Sequence, residues 1–599
     1  MAIQSLSHGV EWTANMNADC QEIAHDLLVL EPMGSPLPVV RTPRLRPLYY
    51  LHNFRLALSA LKERYVDLLS ANEAGFIESF DRLPESAQCL LTRLAMRKGP
   101  LFRRATLQYA DVSDVEQALE ELVALGWLDP DPLLCANDLC RVLNSAQLRL
   151  AAGIRRGRRP RLERPALKET QLALPLQDPP TIYRSLSDWD ARLAGRVVHL
   201  CVDPLIKRLQ LLFFGNHYQS WAEFVLVDLG VKRYESVAID ANARAFHSRE
   251  EIDHFYRLNE CRADLDAGKS ASVVRESAFV PQAVSSWLRS RFMQLHVRIG
   301  ELLEDEGNVE LALQSYRECG AVDGLVRAVR LQVRLGLHEA AQHDALSAQQ
   351  LSCSDAQQEA IDRALARMKR RHKVAPIKRM VHDSPEVIEL LLPKLAGQQR
   401  IEIAVGERLS QPRSQLFYVE NSLLTSLFGL LCWEALFAPV QGAFFHPFQA
   451  APADLYTVEF RARRALHFRT LLELLDTGQH EAVIWRLYRA KAGICTNFVR
   501  WGKLKPGLLR LALQCIPASH LRLCFERYLD DLKENTSGMP DLIQFWPAER
   551  RYRLIEVKGP GDRLQDNQRR WFKFFAQHAI PAAVCQVRWL EFSGAGSHG

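Results

Sequence analysis

The sequence predicts a multidomain, mostly α-helical protein that ends in an α/β domain. A chain of 599 residues is too long for a single hydrophobic core and suggests several domains. Apolar residues recur every three or four positions through long stretches before residue 380, and this spacing is typical of amphipathic helices. Short β-rich runs separated by a turn stand out near the C terminus and predict a hairpin there.

The composition is that of an ordinary globular protein, with 48% hydrophobic and 24% charged residues. The net charge of +6 is only mildly basic, so any affinity for nucleic acid must depend on where the cations cluster. Thirteen cysteines lack a Cys-x-x-Cys pair, which favours reduced thiols over a zinc site. No secretory leader is recognisable, and the apolar stretch 423–440 is interrupted by Thr425, Ser426 and Glu434. We therefore expect a cytoplasmic protein without a membrane span.

Composition and periodicity divide the chain into four parts. Residues 1–46 are rich in proline and read as a loose lead-in, and residues 47–248 form a helical N-terminal domain. Residues 249–397 are predicted to be a helical array similar to tetratricopeptide repeats, because the segments that begin at Glu306 and Leu335 resemble each other. Their spacing of 29 is short for that repeat and indicates a degenerate array. Residues 398–599 contain the α/β domain.

A basic segment inside the N-terminal domain is the first candidate DNA contact. Residues 138–175 resemble a small helix–loop–helix DNA-binding module of the SAP type. Seven cations fall within residues 155–168. A phosphate-binding loop is one interpretation, and a solvated basic surface loop is the other. The predicted phosphate contacts are Arg155, Arg156, Arg158, Arg159 and Arg161.

The end of the helical array is the second candidate DNA contact. Residues 363–379 carry eight Lys or Arg side chains, including Lys369, Arg370 and Arg371. We predict a phosphate-facing surface there, with a solvated helix end as the alternative.

The C-terminal hairpin carries the residues on which the functional prediction depends. Asp541 precedes the first β-rich run, and Glu556 and Lys558 lie two apart on the second. Side chains alternate along a strand, so Glu556 and Lys558 project to the same face, and pairing of the two strands would bring Asp541 near them. Carboxylates bind hard cations such as Mg²⁺ through oxygen, and the cations activate water and stabilise charge on phosphorus. This pattern predicts phosphodiester hydrolysis.

The motif Pro540-Asp541 followed by Glu556-Val557-Lys558 resembles the restriction-endonuclease-like superfamily. The longer run Glu556-Val557-Lys558-Gly559-Pro560-Gly561-Asp562-Arg563-Leu564, followed by Gln568 and Trp571, resembles the VRR-NUC domain. With an acidic residue, Glu420, far upstream, the sequence resembles the Fanconi-associated nuclease family.

The resemblance implies roles for individual residues. Glu420, Asp541, Glu556 and the backbone carbonyl of Val557 would hold Mg²⁺ or Mn²⁺, with three carboxylates sufficient for two ions. Lys558 would act on the attacking water or the developing charge, and Gln568 would orient the water or a carboxylate. Glu420 is expected in the helix that precedes the sheet.

Three further residues of the domain bear on phosphate binding. Lys533 occupies a position that is basic in the family and is expected to contact a 5′ phosphate. Arg563 either contacts phosphate or pairs with Asp562. Asn567 stands where the family often has a basic residue, so the family's phosphate pocket does not transfer in detail.

The resemblance further implies a structure-selective DNA nuclease. Such an enzyme would cut 5′ flaps near the single-strand/double-strand junction, degrade DNA from 5′ to 3′ and serve interstrand crosslink repair. The ubiquitin-binding zinc finger of animal members has no counterpart in this cysteine pattern. Two alternatives remain: a nuclease of the same superfamily that cuts duplex DNA internally, and a helical-repeat scaffold that binds DNA without cleaving it.

Overall fold

The computed structural model describes residues 48–151, 183–216, 219–221, 223, 232–240, 243–278, 285–351, 353–371, 385–393 and 400–590. The chain divides into two compact units. Of the described residues, those before 234 and those from 239 to 252 form an N-terminal unit, and those from 234 to 238 and from 253 onward form a C-terminal unit.

The N-terminal unit is mainly helical with short strands. Its helices are α1 (Tyr49–Tyr65), α2 (Ala71–Arg82), α3 (Glu85–Ala95), α4 (Val115–Ala124), α5 (Ala136–Val142), α6 (Ser145–Ala151), α7 (Leu186–Trp189) and α8 (Asp203–Phe214). Its strands are β1 (Leu101–Arg103), β2 (Leu128–Asp129), β3 (Leu133–Leu134), β4 (Arg184–Ser185) and β5 (Val197–Leu200). The sheet order is β1-β5-β2, with β3 paired to β4.

Part of the predicted SAP-like module can be placed in this unit. Leu139, Leu143 and Leu148 of α5, α6 and the turn between them are buried in one apolar cluster with Leu186 and Leu193. The regularly spaced apolar residues of this segment are therefore core residues. The basic segment with Arg155, Arg156, Arg158, Arg159 and Arg161 lies outside the described residues, so the module as a whole remains a prediction.

The C-terminal unit contains the helical array and the α/β domain. The helices of the array are α9 (Arg249–Asp266, of which the unit takes residue 253 onward), α10 (Ala271–Ser277), α11 (Ser286–Asp305), α12 (Val309–Glu318), α13 (Val322–Leu335), α14 (His338–Gln350) and α15 (Asp355–Arg371). Ala312 and Ala341, which are 29 residues apart, are both fully buried. Small side chains at these positions let neighbouring helices approach closely, although the assignment to a repeat family remains a prediction.

The α/β domain follows the array. Its helices are α16 (Ile401–Leu409), α17 (Leu423–Leu431), α18 (Trp433–Leu436), α19 (Phe460–Arg463), α20 (Ala465–Asp476), α21 (His480–Ala490), α22 (Pro506–Cys515), α23 (Ala518–Asp530), α24 (Leu532–Asn535) and α25 (Asp566–Gln577). Its strands are β6 (Glu386–Leu392), β7 (Gln415–Tyr418), β8 (Leu542–Trp546), β9 (Arg551–Lys558) and β10 (Ala582–Trp589). The fold class predicted from the sequence is confirmed.

The sheet of this domain has the order β6-β10-β9-β8-β7 among the described strands. Strands β6, β10 and β9 are parallel neighbours, and β9, β8 and β7 pair antiparallel. The proposed boundary at 397/398 lies after β6, so the sheet takes a strand from the segment that the sequence assigned to the array. The residues of β6 are exposed or half-buried except for Leu392, which is buried in the core of the sheet.

The apolar patterns of the sequence predict one helix from Ser422 to Phe437 and another from Ala465 to Trp501, and the structure divides both. The helix predicted from Ser422 to Phe437 is divided at Cys432 into α17 and α18. The helix predicted from Ala465 to Trp501 is divided at 477–479 and ends at Ala490. Helices α17 and α18 are buried on almost every side, and none of the described helices has the length and apolar character needed to cross a membrane.

The array and the α/β domain are joined by ion pairs at helix α25. Arg363 of α15 pairs with Asp566, and Arg570 of α25 lies 3.5 Å from Glu359 of α15. The N-terminal turn of α25 is thereby held against the helical array.

Candidate active site

The hairpin of β8 and β9 brings the predicted catalytic residues together. Leu542 pairs with Ile555, so Asp541 lies beside Glu556 at the start of β8. Ile555 and Val557 are buried in an apolar cluster that includes residues of α16, and strand alternation places Glu556 and Lys558 on the opposite face. Asp541, Glu556 and Lys558 are all at least nine-tenths buried. Such burial of charged groups points to a site and not to a solvated hairpin.

Glycine is required at the start of the motif. Gly538 has φ = +83°, a conformation that other residues adopt with strain. A Cβ at this position would lie 2.8 Å from the side chain of Asn567. Gly538 thus allows the loop before Asp541 to pass close to the first turn of α25.

Each buried carboxylate is oriented by named donors. The backbone N–H of Val557 donates to Asp541 Oδ2 at 2.9 Å. Gln568 Nε2 donates to Glu556 Oε1 at 2.6 Å, and Lys558 Nζ lies 2.8 Å from the same oxygen. The amide of Gln568 is itself fixed because its Oε1 accepts from the N–H of Gln565 at 2.9 Å. The geometry brings Gln568 to a carboxylate, which is one of its two predicted partners.

The carboxylates are held in an environment that opposes their ionisation. Burial raises the pKa of Asp541 to about 6; the hydrogen bond from Val557 lowers it in part, and the charges of Glu402 and Glu420 raise it. Burial and the charge of Asp541 raise the pKa of Glu556 to about 7, against the lowering effect of Lys558. A divalent cation would relieve this electrostatic cost.

Glu420 reaches the site from a turn and not from a helix, which corrects its predicted position. It lies between β7 and α17, where Asn421 has φ = +46° and interrupts helical geometry. The N–H groups of Val419 and Glu420 donate to the carbonyl of Asp541 at 2.7 and 3.2 Å. The side chain of Asn421 also accepts from the N–H of Met539 at 3.0 Å. These bonds tie the Glu420 turn to the motif loop.

The residues present fit a divalent cation. Glu556 Oε2 is buried and has no hydrogen-bond partner among the described residues, although buried carboxylate oxygens are normally satisfied. Asp541 and Glu556 supply the oxygen donors that Mg²⁺ and Mn²⁺ prefer. Within the part of the chain that the structure describes, no three acidic, histidine or cysteine side chains enclose an ion by themselves. The carboxylate pair is therefore the nucleus of the site, and Glu420 is its neighbour.

Sequence reasoning missed residues that shape the site. Tyr418 donates its hydroxyl to Glu420 Oε2, and Asn421 supplies the turn described above. Glu402 of α16 adds negative charge near Asp541. Asp562 caps the turn after β9 by accepting from the N–H of Gly559 at 3.1 Å. Tyr418, Asn421 and Glu402 lie outside the motif, and of these three only Asn421, beside an acidic candidate and before an apolar helix, offered a turn signal. Asp562 lies within the motif, but the sequence suggested it only as a partner of Arg563.

Two domain families and a known protein match this chain. The VRR-NUC domain matches residues 475–589, which include Asp541, Glu556, Lys558 and Gln568, and the FAN1 HTH domain matches residues 48–129. A Fanconi-associated nuclease 1 homolog from Pseudomonas aeruginosa is 42% identical over 93% of this chain and 99% of its own.

The chain belongs to the Fanconi-associated nuclease family.

Further matches extend over most of the chain. A homolog of Fanconi-associated nuclease 1 from Arabidopsis thaliana is 26% identical over 90% of this chain and 67% of its own. The crystal structure of paFAN1 bound to 2-nucleotide 5′-flap DNA with a gap has a TM-score of 0.84 and 41% identity, and it covers 93% of this chain and all of its own. A second structure of paFAN1, with a 1-nucleotide flap, gives a TM-score of 0.83.

The structure shows where the remaining predicted residues lie. Trp571 is fully buried against Tyr528 and Phe575, as expected for a core residue. Arg563 is exposed and forms no ion pair within the described residues. Asp562, the partner suggested for it, accepts a hydrogen bond from the N–H of Gly559. Lys533 is exposed and lies 4.0 Å from Asp323. The backbone of Lys369, Arg370 and Arg371 completes α15, but their side chains lie outside the described part of the structure.

Glu556→Gln is expected to stabilise the metal-free protein at alkaline pH and not at acidic pH. The folded state holds the proton of Glu556 more tightly than the unfolded state, since the pKa rises from 4.5 to about 7. The free energy of unfolding of the wild type therefore falls as the pH rises through this window, and Gln removes the loss. Thermal unfolding in chelator at pH 4.5 and pH 8 measures the difference.

The matched control is Glu549→Gln, which changes an exposed glutamate of the same hairpin. Its melting temperature should follow the wild type at both pH values. An increase for Glu556→Gln of equal size at pH 4.5 and pH 8 would show that ionisation of Glu556 is not what destabilises the site.

Proposed function

We propose that this family member is a divalent-metal-dependent, structure-selective DNA nuclease that cleaves 5′ flaps near the single-strand/double-strand junction. The proposal includes 5′-to-3′ exonuclease activity and a role in interstrand crosslink repair. The observation that carries it is the buried pair of Asp541 and Glu556 beside Lys558, with one Glu556 oxygen that has no hydrogen-bond partner among the residues the structure describes. The match to a protein crystallised with 5′-flap DNA supports the substrate class.

The site residues have distinct parts in the proposed reaction. Asp541, Glu556, Glu420 and the backbone carbonyl of Val557 would hold the Mg²⁺ or Mn²⁺ ions, for which we propose a count of two. The bound ions would activate water and stabilise the negative charge that develops on phosphorus. Gln568 Nε2 donates to Glu556 Oε1 and holds the carboxylate in place, so that Glu556 Oε2 stays available. Lys558 would place its ammonium group against the attacking water or the developing charge.

The cations proposed outside the site are consistent with an enzyme that selects DNA by the shape of its backbone and not by its base sequence. Phosphate contacts hold DNA without reading its sequence. The residues proposed to make them are Arg155, Arg156, Arg158, Arg159 and Arg161, Lys369, Arg370 and Arg371, together with Lys533 and Arg563. The first eight rest on the sequence alone, whereas Lys533 and Arg563 are exposed in the structure.

A cleft in the helical array adds to this set. It has a volume of about 570 Å³ and lies between α11, α13 and α15. Arg327 and Arg334 on its wall pair with Glu301 and Glu304. Arg330 and Arg367 also line it, and within the described residues neither forms an ion pair. These two arginines of the cleft are therefore available to phosphate.

The double variant Arg330→Ala/Arg367→Ala is expected to weaken binding to flap and plain duplex DNA alike. Each lost phosphate contact removes ~0.9 from the slope of log affinity against log salt, so the slope should fall by up to ~1.8. Fluorescence anisotropy over a salt series measures it. Arg469→Ala/Arg510→Ala is the matched control, because it removes two exposed helical arginines that also form no ion pair within the described residues. Equal losses in both variants would assign the effect to net charge and not to the cleft.

A substrate panel tests the proposed function. A 5′ flap, a 3′ flap, a blunt duplex and a 5′-phosphorylated single strand are each incubated with Mg²⁺, with Mn²⁺ and with excess chelator. Metal-dependent incision near the 5′-flap junction is expected, with slower release of products from the 5′ end. Equal internal cutting of the blunt duplex would favour the alternative endonuclease. Binding without cleavage under every condition would favour the scaffold, against which the mutual contacts of Glu556, Lys558 and Gln568 argue.

A further inference from the structure

The carboxylate of Glu420 is oriented by a single side chain within the described residues. Its backbone is fixed by bonds to the Asp541 carbonyl, but these leave the side-chain torsions free. Asp541 is oriented by Val557 and Glu556 by Gln568. The corresponding bond to Glu420 comes from the hydroxyl of Tyr418, which donates to Oε2 and leaves Oε1 for another partner.

Tyr418 is itself held in place by two cations. Arg400 Nη2 donates to the Tyr418 hydroxyl oxygen at 3.0 Å, and its guanidinium group lies 4.9 Å from the centre of the ring. Lys503 Nζ lies 5.0 Å from the same ring centre. A cationic donor to the hydroxyl oxygen polarises the O–H bond and strengthens its hydrogen bond to Glu420.

The position of Tyr418 in the sheet links it to the catalytic motif. It is the last residue of β7 and pairs with Leu542, the residue after Asp541. The turn that carries Glu420 begins immediately after it. The strand register therefore fixes the Tyr418 backbone relative to Asp541. Through its hydroxyl, Tyr418 then positions the Glu420 carboxylate relative to Asp541.

We propose that Tyr418 is the positioning residue of Glu420, holding its carboxylate for metal binding while Arg400 and Lys503 hold Tyr418. The inference rests on the proposed function, in which Glu420 is a metal ligand. Groups that hydrogen-bond to a metal ligand fix its orientation, and their loss typically lowers metal affinity about 10- to 100-fold. Tyr418 contacts neither metal nor substrate in this account and acts through Glu420.

The test is Mn²⁺ binding to the full-length, DNA-free protein, measured by electron paramagnetic resonance of the free ion. Tyr418→Phe removes only the hydroxyl and keeps the ring that faces the two cations. We expect its Mn²⁺ affinity to fall about 10-fold, as in Glu420→Gln. In the double variant the second change should have little further effect, since both remove the same contribution. Flap cleavage by Tyr418→Phe should recover at saturating Mn²⁺.

Tyr316→Phe is the matched control. The Tyr316 hydroxyl donates to Glu304 Oε2 at 2.9 Å in the helical array, so the variant loses a bond of the same kind away from the site. Its Mn²⁺ affinity should equal that of the wild type.

The outcomes separate this inference from the function on which it rests. If Glu420→Gln weakens Mn²⁺ binding and Tyr418→Phe does not, the positioning role is wrong and the metal site stands. Tighter binding by Tyr418→Phe would also overturn it, since Tyr418 would then hold Glu420 away from the metal. Unchanged binding in both Glu420→Gln and Asp541→Asn would overturn the metal site and the inference together.

Discussion

Asp541→Asn is expected to lower DNA cleavage by at least about three decades, equivalent to about 4 kcal/mol of transition-state stabilisation. Asn has nearly the same shape and keeps an oxygen that can accept from the N–H of Val557, so the loop should remain in place. It lacks the negative charge needed to hold a divalent cation between Asp541 and Glu556. Asp541→Ala, which also removes the acceptor, should abolish cleavage. Single-turnover kinetics on a 5′-flap substrate measure both losses.

DNA binding and folding provide the controls for this result. Both Asp541 variants should bind flap DNA with wild-type affinity in chelator and should remain folded by circular dichroism. Asp476→Asn changes a half-exposed aspartate of the same domain that pairs with Arg522, and it should cleave normally. Normal cleavage by either Asp541 variant, or full wild-type activity in excess chelator, would contradict the assignment of the metal site.

Lys558→Met is expected to lower turnover by about two decades or more while leaving metal affinity almost unchanged. Met retains much of the side-chain volume, so the buried position remains filled. The lost ammonium group would have faced developing negative charge, and such a contribution acts on the transition state. Its removal also frees Glu556 Oε1 from a contact of 2.8 Å, so metal affinity should not fall. The kinetic constants at saturating Mn²⁺ give the first quantity and Mn²⁺ binding gives the second.

Lys573→Met, at an exposed position of α25, controls for the loss of one positive charge. It should change neither quantity strongly. Weaker Mn²⁺ binding by Lys558→Met with normal turnover at saturating metal would reverse the role of Lys558 and make it a structural support for Glu556.

The sequence predicted the local part of the site well because strand alternation and a short turn determine it. Asp541 and Glu556 are 15 residues apart in the chain, and the register of β8 and β9 follows from their apolar patterns. Gln568 reaches Glu556 from the first turn of the next helix. The geometry of these residues could therefore be predicted without knowing where distant segments of the chain lie.

The distant parts were not predictable in the same way. The family resemblance and the apolar run that follows it placed Glu420 in a helix. Its N–H instead donates to the carbonyl of Asp541, and the side chain of the neighbouring Asn421 accepts from Met539, so Glu420 lies in a turn. Such tertiary hydrogen bonds override local helical preference and leave no periodic signal. Strand β6 was missed because its partner among the described strands, β10, lies about 200 residues later in the chain. Tyr418 carries no motif, and its role depends on two cations from other segments.

The most direct test of the account is metal rescue at the scissile phosphate. A 5′-flap substrate carries sulfur in place of one non-bridging oxygen at the cleaved bond, as separated diastereomers. Sulfur is a soft ligand that Mg²⁺ binds poorly and Mn²⁺ tolerates. We predict that one diastereomer is cleaved far more slowly than the oxygen substrate in Mg²⁺ and regains most of its rate in Mn²⁺. Cleavage of both diastereomers in Mg²⁺ at the rate of the oxygen substrate would contradict direct contact between this phosphate and a metal held by Asp541 and Glu556.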